Sequence, residues 1–112
     1  MSARVTSDFW VSAYVRRCAL EGAYALIRKR GSREAGAIFI VVDRLDRTND
    51  LYGPAPQSEA DDDLNGRNFE RVAEGLDGLA IEEKLAREAR FDPDLWIVVV
   101  EDRTGDAHFT TD

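Results

Sequence analysis

A chain of 112 residues with 44% apolar and 33% charged side chains is one globular domain, long enough to bury roughly two-thirds of the surface its unfolded form exposes. Its net charge of −7 argues against non-specific binding to nucleic acid, and no stretch approaches the ~20 apolar residues of a membrane span. Cys18 stands alone and has no partner for an internal disulfide, and the start Met1-Ser2-Ala3-Arg4-Val5, followed by Asp8 and Arg16-Arg17, lacks the apolar heart of a signal peptide. These features predict a cytoplasmic protein without nucleic-acid or membrane partners.

The first helix is expected over Asp8 to Glu21. Thr6 or Ser7 caps it, and Asp8 suits the positive end of its dipole. Val11, Tyr14, Val15 and Cys18 fall at helical spacing and form a core-facing stripe, which leaves Arg16 and Arg17 mostly off it. Gly22 is a natural stop. The first strand spans Ala23 to Arg30, with Tyr24 and Leu26 on one face and Ala25 and Ile27 on the other. Gly31 to Glu34 reads as a turn into a second strand, Ala35 to Arg44. A turn at Asp46 to Asp50 leads to a short third strand that ends near Tyr52-Gly53, where Pro54 and Pro56 stop regular pairing. Residues 54–66 are polar and acidic and read as a mobile loop. A fourth strand is expected from Asn68 to Ala73. The second helix runs from Leu79 to Phe91, capped by Asp77 and ended by Asp92-Pro93. A last strand, Leu95 to Asp102, precedes a polar tail, residues 103–112.

This order, α-β-β-β-(β)-α-β, predicts an α+β fold: a small, mainly antiparallel sheet of four to five strands with two helices. Short turns imply hairpins. The runs Ala37 to Val42 and Leu95 to Val100 do not alternate apolar and polar, so both faces of the sheet centre need cover. A homodimer packed sheet to sheet supplies it, as does one helix on each face; the homodimer is the expectation.

Charge is distributed unevenly. Residues 1–35 hold 7 Lys/Arg against 3 Asp/Glu, a net of +4, whereas residues 36–112 hold 8 against 19, a net of −11. Such asymmetry marks a binding face when it stays unpaired, and cancels when the two parts meet in the fold; cancellation is the simpler expectation. Arg16 and Arg17, extended by Arg28-Lys29-Arg30 and Arg33, suit carboxylate or phosphate groups. Tyr52, between a strand end and Gly53-Pro54, is a candidate contact residue or packs over the sheet edge. Arg16, Arg17 and Tyr52 therefore form the candidate binding surface.

The catalytic inventory is thin. There is no G-x-G-x-x-G, P-loop, H-E-x-x-H or C-x-x-C, so no catalytic residue, cofactor or metal is assigned. Asp61 to Gly66 matches the first half of a calcium loop, but the twelfth position is Val72 where a bidentate Glu is needed; a solvated acidic loop is expected. Cys18 beside two arginines has the setting of a thiolate, but its place on the apolar stripe makes it a buried hydrophobe. His108 is expected to be an exposed residue of the tail. Asp43, Asp46, Asp50 and Glu101-Asp102 flank strands, where carboxylates serve acid–base or Mg²⁺ chemistry or keep a strand soluble.

Trp10 to Ala13, Arg16-Arg17-Cys18, Glu21-Gly22-Ala23, Tyr52 to Pro56 and Arg90 to Trp96 together resemble the signature stretches of a small bacterial family known only as a domain of unknown function. The resemblance covers nearly the whole chain apart from residues 57–66. It transfers no activity and implies a small stand-alone cytoplasmic protein. The leading functional expectation is a non-enzymatic binding or adaptor domain working through protein contacts. Its rival is an enzyme that uses Asp43, Glu101 and Asp102 with Arg16 or Arg17 as an anion clamp.

Overall fold

Seven elements follow one another as the sequence predicts: α1 (Ser7–Leu20), β1 (Tyr24–Lys29), β2 (Ile38–Asp43), β3 (Asn49–Pro54), β4 (Phe69–Leu76), α2 (Gly78–Phe91) and β5 (Trp96–Glu101). The structure is a computed structural model that describes residues 5–56 and 67–109. The expected acidic loop and its calcium-like run Asp61 to Gly66 lie largely outside the described residues. Thr6 is the cap of α1: its side chain accepts the Phe9 N–H. Asp77 caps α2 in the same way, through Ala80 N–H at 2.8 Å. At the far end of α1, Gly22 takes φ +82° and the Ala23 N–H returns to the Cys18 carbonyl at 2.8 Å, so the chain turns sharply into β1.

The sheet departs from the expected hairpins at one point. Its strand order is β1-β5-β2-β3-β4, so β5 lies between β1 and β2. It pairs antiparallel with β1, Tyr24 opposite Glu101, and parallel with β2, Ile38 opposite Trp96. The remaining pairs, β2 with β3 and β3 with β4, are antiparallel. Side-chain character accounts for this arrangement. β2 and β5, apolar on both faces, take the centre, while β1 alternates exposed and half-buried residues as an edge strand does. The parallel pair needs a long crossover, which β3, β4 and α2 provide.

One helix covers each face. Ile38, Ile40 and Val42 of β2 and Trp96, Val98 and Val100 of β5 pack with Trp10, Val11, Tyr14 and Cys18 of α1. Phe39, Val41 and Leu51 pack with Leu95, Ile97 and the α2 residues Ile81 and Leu85. The cover that suggested a sheet-to-sheet homodimer is thus supplied within the chain. The expected α1 stripe holds except at Val15, which is only half-buried, while Trp10 is buried instead.

The β1–β2 connection anchors α1. Arg33 and Glu34 carbonyls accept the Asp8 and Ser7 N–H groups at 2.9 and 3.1 Å, which satisfies two donors that a helix start leaves open. Ser7 Oγ donates to the Gly36 carbonyl at 2.6 Å. Trp96 Nε1 donates to the Ser32 carbonyl at 2.7 Å. The orientation of α1 relative to the sheet is therefore set from its N-terminus.

Candidate functional site

Pointing one stripe of α1 into the core sends another outward. Phe9, Ala13, Arg16 and Leu20 are exposed and Arg17 is half-buried. Phe9 is 63% exposed and Leu20 81%. These positions recur at i, i+4, i+7, i+8 and i+11, so they form one continuous ridge.

The segment after β5 folds back over α1 instead of trailing away as a polar tail. Ala107 and His108 are buried, which corrects the expectation of an exposed histidine. Tyr14 Oη donates to the Ala107 carbonyl at 2.5 Å. His108 Nδ1 lies 2.5 Å from Glu21 Oε1 and Nε2 lies 2.8 Å from Asp102 Oδ2. Two carboxylates facing two ring nitrogens require both nitrogens to donate, which is the imidazolium form. Burial opposes that charge, but the hydrogen bonds to Glu21 and Asp102 outweigh it and raise the ring's pKa above its ordinary value. Burial also opposes charge on Asp102, yet hydrogen bonds from Thr104 and His108 and from the Asp106 and Thr104 N–H groups hold its carboxyl far below the usual range. His108 itself adopts φ 60°, with its N–H donated to Asp106 Oδ1 at 2.8 Å. The result is a charged clasp between the end of α1 and the end of β5.

The clasp seats Phe109 among aromatic rings. Its ring centroid lies 4.9 Å from Phe69, 5.3 Å from Tyr52 and 6.2 Å from Tyr14. Trp10 stacks on Tyr14 at 5.1 Å. Between this layer and α1 opens a cavity of about 60 Å³, walled by Phe9, Trp10, Ala13, Tyr14 and Phe109, with Arg17 and His108 also lining it. On the other side of Arg17 an open depression of about 360 Å³ is lined by Ala13, Arg16, Leu20 and Glu21.

The structure brings Arg16 and Arg17 together on the α1 ridge. Tyr52 is apart from them: it packs edge-on against Phe109 within the α1-side core, so it is the packed alternative of its two readings. Neither Arg16 nor Arg17 makes an ion pair with a described residue. Cancellation between the two parts of the chain is partial: Arg28–Glu82 and His108–Glu21 cross between them, whereas Arg33–Asp8, Arg44–Asp50, Arg71–Glu74, Lys84–Glu88 and His108–Asp102 each stay within one part. Cys18 is buried, and burial pushes its thiol up, away from a thiolate.

The strand-flanking carboxylates are engaged in structure. Asp43 accepts the Leu45 N–H at 2.8 Å, and Asp46 accepts the Thr48 N–H and hydroxyl. Asp50, fully buried, accepts two hydrogen bonds from Arg44 at 2.9 and 2.7 Å and one from the Gly75 N–H at 2.9 Å. Asp102 belongs to the clasp. Asp102, Asp106 and His108 bring three metal-ligand-type atoms within 4.8 Å of one another, but both imidazole nitrogens already face carboxylates. The sequence does signal that this segment turns back, since Asp102, Gly105 and Asp106 are turn residues and Ala107 and Phe109 give it an apolar side, but nothing local points to Glu21 as the partner of His108.

Among the described residues no helix is long and apolar enough to cross a membrane. The chain matches none of the curated proteins with which it was compared. It is similar to a solution structure of protein Atu0922 from A. tumefaciens, with 44% identity over 88% of this chain and 86% of that one and a TM-score of 0.77. A crystal structure of a DUF1491 family protein from Caulobacter crescentus is 31% identical over 96% of this chain and 95% of that one, also with a TM-score of 0.77. An NMR structure of a DUF1491 family protein from the same organism gives 31% identity over 97% and 96%, with the same TM-score. The model of the family described as protein of unknown function (DUF1491) matches residues 5–110, and the chain belongs to that family.

Proposed function

We propose that the protein is a non-enzymatic binding domain that holds a protein partner on the outward ridge of α1. The observation that carries this reading is the pairing of Arg16 and Arg17, without ion pairs among the described residues, with exposed Phe9 and Leu20 on one helix face. A surface of apolar side chains and arginines is what protein interfaces favour. His108 does not favour catalysis, because an imidazolium with both N–H groups committed to carboxylates has no free nitrogen to act as a base.

Affinity capture at native expression, with mass spectrometry of what co-purifies, tests the reading. A stoichiometric partner lost from the double variant Arg16→Glu, Arg17→Glu is the expected result. Both residues are exposed or half-buried, so the variant should keep its fold; circular dichroism checks that. Undiminished capture by the double variant removes the ridge as the binding face.

A further inference from the structure

Two features of the α1 ridge narrow what it holds. The first is length. From Phe9 to Leu20 the ridge spans twelve residues, ~16 Å along the helix, which exceeds the reach of a small metabolite and suits a peptide segment. The second is the cavity beside Arg17. Its volume of about 60 Å³ is well short of the ~150 Å³ of an engineered apolar cavity known to take benzene. It suits a branched aliphatic side chain and not an aromatic one. Phe9, Trp10, Tyr14 and Phe109 give it an apolar side opposite the polar groups of Arg17 and His108, so an aliphatic group inserted against those rings exchanges water for apolar contacts.

Charge supplies the rest. Arg17 lines both the cavity and the neighbouring depression, and Arg16 lines the depression. Glu21, the carboxylate at that end of the ridge, also lines the depression, but it is hydrogen-bonded to His108, so the two guanidinium groups outnumber it as charges open to a partner. A partner carboxylate beside the inserted side chain is the group that guanidinium side chains pair with most favourably. Phosphate-rich nucleic acid fits less well, because a chain of net charge −7 repels a polyanion that extends beyond the ridge.

Resting on the binding reading above, we infer that the ridge docks an acidic peptide segment, that the segment places one Val- or Ile-sized side chain in the Phe9–Trp10–Ala13–Tyr14–Phe109 cavity, and that a neighbouring carboxylate pairs with Arg17. The fold positions every part of this site: the α1 stripe supplies one wall, and the His108 clasp holds Phe109 as the other.

The test uses the ¹⁵N-labelled full chain and a panel of helix-length, Glu-rich synthetic peptides that differ at one central position: Ala, Val, Ile, Phe or Trp. Titration followed by amide chemical shifts should move Phe9, Ala13, Arg17, His108 and Phe109. The Val and Ile peptides should bind about tenfold tighter than the Ala peptide, the gain expected from burying about two more carbon groups. Phe and Trp peptides should lose that gain. Ala13→Leu fills the cavity from an exposed helix position and should erase the preference for Val and Ile; Ala13→Val serves if the larger residue lowers the melting temperature. Arg17→Gln should weaken every peptide alike.

Equal binding across the panel, no binding at millimolar peptide, or an unchanged preference in the filled variant overturns the inference. Shifts at the same residues that grow with protein concentration alone identify a second copy as the occupant and overturn it too. Partner capture separates the two levels. Loss in the Arg16→Glu, Arg17→Glu variant with retention in Ala13→Leu leaves the binding face standing without this occupant. Retention in both removes the face itself.

Discussion

His108 is where a single residue changes the chemistry of its surroundings most. A free imidazole titrates near pH 6.5, and the hydrogen bonds this one donates to Glu21 and Asp102 raise it against the cost of burial. A group with a raised folded-state pKa stabilises the fold fully below its unfolded value, and that contribution disappears as pH rises through the folded value. Asp102 is shifted downward and has the opposite sign: its contribution is present above pH ~4 and is lost toward lower pH. The clasp is therefore strongest between pH ~4 and ~6.5. Urea unfolding as a function of pH should show stability falling above pH ~6.5, and His108→Gln should flatten that fall. The variant should cost on the order of 2 kcal/mol at pH ~6, mostly through Asp102, because hydrogen bonds between charged groups are worth more when one partner is sheltered and Glu21 is 44% exposed. A variant with the same pH slope as the parent would show that the clasp does not hold the charge assigned to it.

At the scale of elements, the helix and strand patterns were legible because each element has a side chain for every position its geometry presents. The α1 stripe, the Asp77 cap and the Asp92-Pro93 stop needed no tertiary information. Strand order was less legible. The turn at Gly31 and its neighbours suggests a β1–β2 hairpin, but what decides the pairing is competition for the sheet centre, and β5 lies some sixty residues away. The clasp was missed for a related reason: Glu21, Asp102 and His108 come from both ends of the chain, and no local period links them. The Gly31–Gly36 connection also shows a constraint that only the fold reveals. A Cβ at either glycine would run into the Asp94 carbonyl oxygen at the entry to β5. Gly36→Ala should therefore destabilise the protein by about 3 kcal/mol, the upper part of the usual range for overpacking. Gly78, the first residue of α2, faces open space. Gly78→Ala should leave stability unchanged or raise it by about 0.5 kcal/mol through helix propensity. Thermal melts of the two variants measure the contrast, and similar melting temperatures would show that the connection is free to move away from β5.

Across the whole molecule, β2 and β5 are shared walls between two cores. Side chains on one face pack against α1, and their alternate neighbours pack against α2. A loss of packing under α2 must therefore reach the α1 side through two strands that cannot shift one face without the other. The tryptophans make this testable, since Trp10 and Trp96 both belong to the α1-side core and report nothing directly from beneath α2. Leu85 is buried on the α2 side. Leu85→Ala removes apolar contacts and leaves a void, which should cost about 2–5 kcal/mol. If the sheet couples the two cores, tryptophan fluorescence and far-ultraviolet circular dichroism should shift by the same amount and give coincident unfolding curves. Were the circular dichroism transition to move to lower denaturant while the fluorescence transition stayed in place, α2 would be detaching by itself. The α1 ridge, its clasp and the cavity beside it would then form a unit whose stability is independent of the opposite face.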